Sequence, residues 1–258
     1  MDIQTINLIG IFITGSALAI AAGILGSFAL LRRMALVADA MSHIALPGIA
    51  LGLLFNFNIL IGSVAFLLLG VIVIWYTEHK TKLAVDTLVG VTYTLALAIG
   101  AMLTPHEEIL DALFGDITKL TNLDFIISTI FSIIIIYILL KYSKRFVLSM
   151  ISSDLALSLK IKPHLIELGY LIMFAITVAI GIKFIGALLM GSLIIIPAAT
   201  SRNIAKSFKS YMLISALLGL ISINLGIILS QVFKLPPGPI IVVIAAIIFF
   251  LSVFIKKR

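Results

Sequence analysis

Apolar residues run along this chain in long blocks separated by short polar segments. A helix that crosses the hydrocarbon core of a bilayer needs about 20 mostly apolar residues. Nine blocks approach that length: 6–31, 38–55, 59–77, 86–103, 124–140, 166–182, 184–201, 210–233 and 238–255. They predict an all-α, polytopic integral membrane protein of eight or nine transmembrane helices in a single domain, 1–258. The second and third blocks come from one stretch, because no Asp, Glu, Lys or Arg lies between Asp39 and Glu78. As one helix that stretch would measure about 57 Å, roughly two crossings. Asn56 and Asn58 supply the polar break. The first block has no basic segment before it and is longer than a signal-peptide core, so it reads as a retained span.

Composition agrees. Hydrophobic residues make up 62% of the 258 and charged residues 11%, against about 25% charged in a soluble domain. The mean hydropathy is +1.29. With no cysteine, disulfides, thiolate metal sites and thiol nucleophiles are excluded.

The net charge of +7 raises nucleic acid as a partner, but the basic residues are spread over several loops rather than one stripe, which argues against it. With the N-terminus outside and the C-terminus cytoplasmic, all 18 Lys and Arg except Lys119, Lys183 and Lys234 fall in cytoplasmic segments. The positive-inside rule favours that topology in a cell membrane. The longest cytoplasmic connection is then 141–165, with an amphipathic stretch, SSDLALSLKIKPHL. The main outer connection, 104–123, holds His106, Glu107, Glu108, Asp111 and Asp116. That group reads first as a solvated loop and second as an attractor of cations.

Candidate chemistry concentrates in RRMALVADAMSHIALPGIALGLL, Arg32 to Leu54. Asp39 and His43 are four apart and share a helix face. A carboxylate and an imidazole suit a divalent transition metal such as zinc, manganese or iron, and ionisable residues beside a long apolar run are costly and often functional. The competing reading places both in the wetted interface, with Asp39 capping the following helix. Two ligands do not complete a metal site. Gly48 and Gly52 have close-packing spacing, Pro47 and Pro197 are candidate kinks, and Asn224 and Gln231 are candidates for bonds between helices. Glu78 and His79, beside Lys80 and Lys82, read as a solvated helix end. No G-x-x-x-x-G-K-[ST] loop occurs, so the chain is not itself an ATPase, and no H-E-x-x-H marks a protease.

ADAMSHIALPGIALGLL resembles the second-span signature of the ABC-3 metal-ion permeases, G-D-A-x-S-H-A-x-L-P-G-x-A. Ala38 replaces the usual glycine, while Asp39, Ser42, His43, Leu46, Pro47 and Gly48 match. DLALSLKI (Asp154 to Ile161) is similar to the family's cytoplasmic A-x-x-L-G-[IV] segment, with Lys160 where glycine is common. FIGALLMGSLIIIPAATSRNIA (Phe184 to Ala205) and GIILSQVFKLPPGPII (Gly226 to Ile241) resemble two further segments, the latter with Lys234 in place of an acid.

The resemblance implies a type II importer-like permease that binds no permanent cofactor. It would form a homodimer in the bilayer, pair with separate ATP-binding cassette subunits and receive Zn2+ or Mn2+, or iron, from an extracellular or periplasmic binding protein. Asp39 and His43 become the metal ligands of the path. Asp154, Leu155 and Leu159 become the contact with the ATPase. The alternatives are a permease for iron chelates or a corrinoid, and a secondary carrier using Asp39 or His43 as a proton relay. An intramembrane enzyme has little support.

Overall fold

A computed structural model describes residues 3–81, 83–103 and 120–255. The outer group of His106, Glu107, Glu108, Asp111 and Asp116 lies outside them. Among the described residues the chain forms helices and no strand. They are α1 (Ile3–Leu31), α2 (Ala35–Ile44), α3 (Leu46–Leu54), α4 (Ile59–Thr81), α5 (Val85–Leu103) and α6 (Asn122–Lys141). Then follow α7 (Ser143–Ile151), α8 (Ser153–Ser158), α9 (Pro163–Ile185), α10 (Ala187–Ile204), α11 (Phe208–Phe233) and α12 (Pro237–Ile255).

Eight segments are long and apolar enough to cross a membrane, α2 and α3 together counting as one. The ninth expected span, 184–201, forms α10. The break inside the second span has a local cause: Pro47 cannot donate to the His43 carbonyl four residues back, and the helix is interrupted at Ala45. Pro197, in contrast, sits inside an unbroken α10. The predicted turn after α3 is made by Asn56, at φ 53°, and by Asn58, whose Oδ1 accepts from the Leu60 N–H at 2.9 Å.

The core gathers around α1, α2, α9 and α10. α1 packs on α11, α6 and α10, while α2 packs on α10 and α5. Small residues permit these approaches. A Cβ on Gly48 would strike the backbone of Gly62 in α4, so the Gly48 packing role holds. Asn224 Nδ2 donates to Ser16 Oγ at 3.0 Å, tying α11 to α1. Gln231 does not follow: it is exposed and its side chain makes no hydrogen bond among the described residues.

Two polar clusters mark the ends of the bundle. At one end Arg32, after α1, pairs with Glu167 of α9 and lies 3.7 Å from Glu78 of α4. Glu78 therefore has a cationic partner on another element, which the solvated reading did not foresee. Phe28 stacks edge-on with Phe146 of α7 and Phe208 of α11 at the same end. At the other end Lys183 donates to Asp124 at 2.7 Å, and Asp124 also completes a capping box with Thr121. Segments 32–34, 141–165 and 205–207 thus gather on one side of the bundle.

Candidate functional site

Every side chain from Val37 to Ile44 is buried except Asp39, which is exposed. α2 and α3 form the most enclosed span, 78% buried, against 22% for α5. Asp39 therefore opens from an interior helix toward space that this chain does not fill. It is also not a helix cap. α2 begins four residues earlier, at Ala35, and its N-cap position is Met34, so the capping reading of Asp39 is excluded by geometry. The Asp39 side chain makes no hydrogen bond or ion pair among the described residues.

His43, one turn further on, is 8% exposed. Its Nδ1 is buried with no hydrogen-bond partner. A buried polar atom left unpaired costs on the order of 1–3 kcal/mol, so a native structure that keeps one needs a reason for it. The neighbouring Ser42 is already satisfied, its Oγ donating to the Ala38 carbonyl at 3.1 Å. The ring of His43 lies against Tyr93 of α5, with centroids 5.3 Å apart and planes tilted by 57°.

The third motif meets the first at one glycine. A Cβ on Gly191 of α10 would sit 2.8 Å from Asp39 Cα and 2.9 Å from Asp39 N. Gly191 lets α10 press against the backbone that carries the carboxylate. Just upstream, Gly186 joins α9 to α10 at φ 92°, a conformation that only glycine adopts without strain. Gly191 and Tyr93 were not singled out from sequence. The two histidine and carboxylate donors of α2 are not joined by a third: no group of three or more His, Asp or Glu able to hold a metal occurs among the described residues.

The second candidate region behaves differently. α7 and α8 are separated by Ser152, whose Oγ accepts from the Leu155 N–H at 3.3 Å and caps α8. Asp154 stands in the first turn, where a negative charge suits the helix dipole. Leu155, Leu157 and Leu159 are 57%, 58% and 64% exposed, while Ala156 is buried. α8 ends in a Schellman motif: the Ile161 N–H donates to the Ala156 carbonyl at 2.9 Å, and the Lys160 N–H to the Leu157 carbonyl at 2.9 Å. Lys160 occupies the left-handed position, φ 59°, where glycine is favoured.

A polytopic helical bundle with an acidic and an imidazole donor in its most enclosed span defines a class, the membrane permeases that pass a polar solute. The chain belongs to the ABC 3 transport family, which it matches over residues 4–256. It is 32% identical over 250 residues to the manganese import system permease protein ScaB of Streptococcus gordonii, covering 95% of this chain and 90% of that protein. It is 32% identical over 251 residues to the high-affinity zinc uptake system membrane protein ZnuB of Haemophilus influenzae, covering 95% and 96%. Its fold superposes on PsaBC from Streptococcus pneumoniae in complex with Fab with a TM-score of 0.85, at 28% identity, covering 97% of this chain and 92% of that one.

Proposed function

We propose that this chain is the membrane-spanning subunit of an ATP-driven importer that carries manganese or zinc into the cell, with Asp39 and His43 as ligands along the path. The observation that carries this reading is the α2 pair: an exposed, unpaired carboxylate one turn from a buried imidazole whose Nδ1 has no partner. A dication answers both, since it offsets the carboxylate charge and accepts a nitrogen lone pair. The names of the relatives support manganese and zinc as cargo.

Two donors are too few for a closed site. Asp39 opens outward from the interior span, so a second copy of the chain facing the first would complete the ligand set. The chain then works as a homodimer of single permease domains, each spanning 1–258. Leu155 in α8 and Leu159 at its C-cap, both exposed, dock a separate ATP-binding cassette subunit, with Asp154 of the first turn beside that contact. An extracellular or periplasmic protein delivers the metal at the opposite end. With α10 as a ninth crossing, the positive-inside rule favours the N-terminus outside and the C-terminus in the cytoplasm.

Uptake of radioactive manganese and zinc, in cells with matched amounts of each variant, tests the site. Asp39→Asn and His43→Ala each abolish uptake while the permease still assembles with its ATPase. Asp39→Glu retains more activity than Asp39→Asn, because it keeps the charge. Near-normal uptake by Asp39→Asn removes the site.

A further inference from the structure

At the end of the bundle that carries α7 and α8, a cleft of about 470 Å³ lies between the end of α1 and the α10–α11 junction. Three cations line it: Arg33, Arg202 and Lys206. None of them forms an ion pair with a carboxylate among the described residues. Leu30 and Phe208 supply an apolar wall on the bundle side. This separates the cleft from the neighbouring Arg32, whose charge is taken up by Glu167 and Glu78.

The cleft also holds an orphan hydroxyl. Tyr211 lines it and is 9% exposed, and its Oη is buried with no hydrogen-bond partner. A small rotation of that ring at the cleft wall would let the phenol donate to an anion. α11 begins at the cleft, with Ser207 as N-cap, and the first amides of a helix have no carbonyl four residues back. The position is fixed: Ser201 Oγ donates to the Tyr211 carbonyl at 2.8 Å, holding the first turn of α11 to the end of α10. Arg33 is held in the left-handed region at φ 62°, a conformation that is strained in a residue with a Cβ.

Three cations without a carboxylate partner among the described residues, a buried donor without an acceptor, a helix N-terminus and an apolar wall lie around one cleft. We propose that this cleft binds a phosphate group, and that the phosphate is the headgroup of an anionic phospholipid whose chains lie along Leu30 and Phe208. Basic pockets between spans at the level of the headgroups have this preference. A free phosphate would satisfy the cations and the phenol but leave the apolar wall without an occupant. The ligand would brace the end of α1 against the α10–α11 junction.

The test uses the purified full-length permease, stripped of lipid and titrated with phosphatidylglycerol, phosphatidylcholine or inorganic phosphate while bound lipid is followed by native mass spectrometry. Phosphatidylglycerol binds saturably and phosphatidylcholine does not. In Arg202→Gln/Lys206→Gln the phosphatidylglycerol dissociation constant rises at least ~tenfold, and Tyr211→Phe weakens binding by a smaller factor. Should the double variant fail to fold, Arg33→Gln, at an exposed residue, gives the same direction, and Arg202→Lys restores most of the binding. If inorganic phosphate saturates the site while phosphatidylglycerol shows no advantage over phosphatidylcholine, the lipid source is overturned. Equal binding of both lipids to the native and variant chains, with no response to phosphate, overturns the site altogether. Loss of ATPase subunit binding in the variants, with lipid binding unchanged, assigns the surface to the protein partner and overturns the proposal.

Discussion

α2 and α8 both invert the ordinary relation between polarity and burial, in opposite senses. α2 lies in the most enclosed span and carries an aspartate and a histidine. α8 lies outside the spans and turns three leucines outward. Each inversion costs free energy in the isolated chain. For α2 the cost is an unpaired buried nitrogen and a carboxylate at a membrane helix. For α8 it is apolar area left in water, worth about 25 cal/mol per Å² if covered. What would relieve them differs accordingly: a small cation for α2 and a protein groove for α8. The comparison also separates rigid from replaceable. α2 is gripped by α10 through backbone contact, whereas α8 is held by its two caps.

The largest effect expected is at the grip itself. Gly191→Val places branched atoms where even a Cβ lies 2.8 Å from Asp39 Cα. Overpacking of this kind costs typically 1–3 kcal/mol, and displacing the Asp39 backbone should lower metal uptake more than tenfold. Gly169, whose added Cβ meets nothing within 4 Å, supplies the control: Gly169→Val should leave uptake near the native level. Uptake and thermal unfolding in detergent, compared for the two variants, decide the matter. Equal behaviour would mean that α10 does not position Asp39.

Sequence made much of α2 legible and little of its surroundings. The Asp39–Ser42–His43–Pro47 spacing placed the pair on one helix, and Pro47 marked the break. The spans, the Asn56–Asn58 turn and the Asn224 link also read out locally, because each depends on a run of residues or a single polar group in an apolar segment. Tyr93, Gly191 and the Arg32–Glu167–Glu78 cluster did not. They come from segments far apart in the chain and meet only through packing, and nothing in the period of α5 or α10 distinguishes Tyr93 or Gly191 from their neighbours. Gln231 misled for the same reason: a polar residue in a span predicts a partner, but the geometry that would supply one is not written locally. For α8 the amphipathic stretch and the outward face of Leu155 and Leu159, four residues apart, were visible, and the Schellman closure through Lys160 was not.

The next effect down tests the other side of the comparison. Leu155→Asp/Leu159→Asp should leave thermal unfolding of the permease within about 0.5 kcal/mol, since both side chains are exposed and such substitutions are nearly neutral. Association with the ATPase subunit, measured by co-purification and by transport-coupled ATP hydrolysis, should fall at least tenfold, as expected when a helix loses its anchors in a groove. Normal association would show that the α8 leucines are covered by something else.

The Arg32 cluster predicts an intermediate change in stability. Arg32→Met removes the cation between Glu167 and Glu78, leaving two partly buried carboxylates facing each other. Breaking a buried pair by deleting one partner costs about 3–5 kcal/mol when burial is complete. With side-chain exposures of 23%, 20% and 12% for Arg32, Glu78 and Glu167, a smaller loss of about 1–2 kcal/mol is expected. The triple change Arg32→Met/Glu78→Gln/Glu167→Gln should recover most of it, because no unpaired charge remains. Failure of the triple variant to recover would mean that the cluster does not act through charge.

The smallest effect is at Lys160. α8 exposes its leucines in a defined direction only if its last turn is closed, and the Schellman bonds from Lys160 and Ile161 close it. That closure demands a left-handed residue at position 160, φ 59°. Lysine pays a steric cost there of roughly 1–2 kcal/mol that glycine avoids. Glycine also gains more freedom in the unfolded chain, worth about 0.5–1 kcal/mol in the other direction. The net gain for Lys160→Gly is therefore between about 0 and 1.5 kcal/mol, the difference of those two terms. A β-branched residue has the same backbone demand and a worse clash, so Lys160→Ile should be destabilising by a similar amount. Removing the positive charge is common to both variants, so any purely electrostatic role of Lys160 predicts that they change together. Opposite signs in thermal unfolding, with ATPase association following the same order, would show that it is the backbone at 160 that fixes the leucine face.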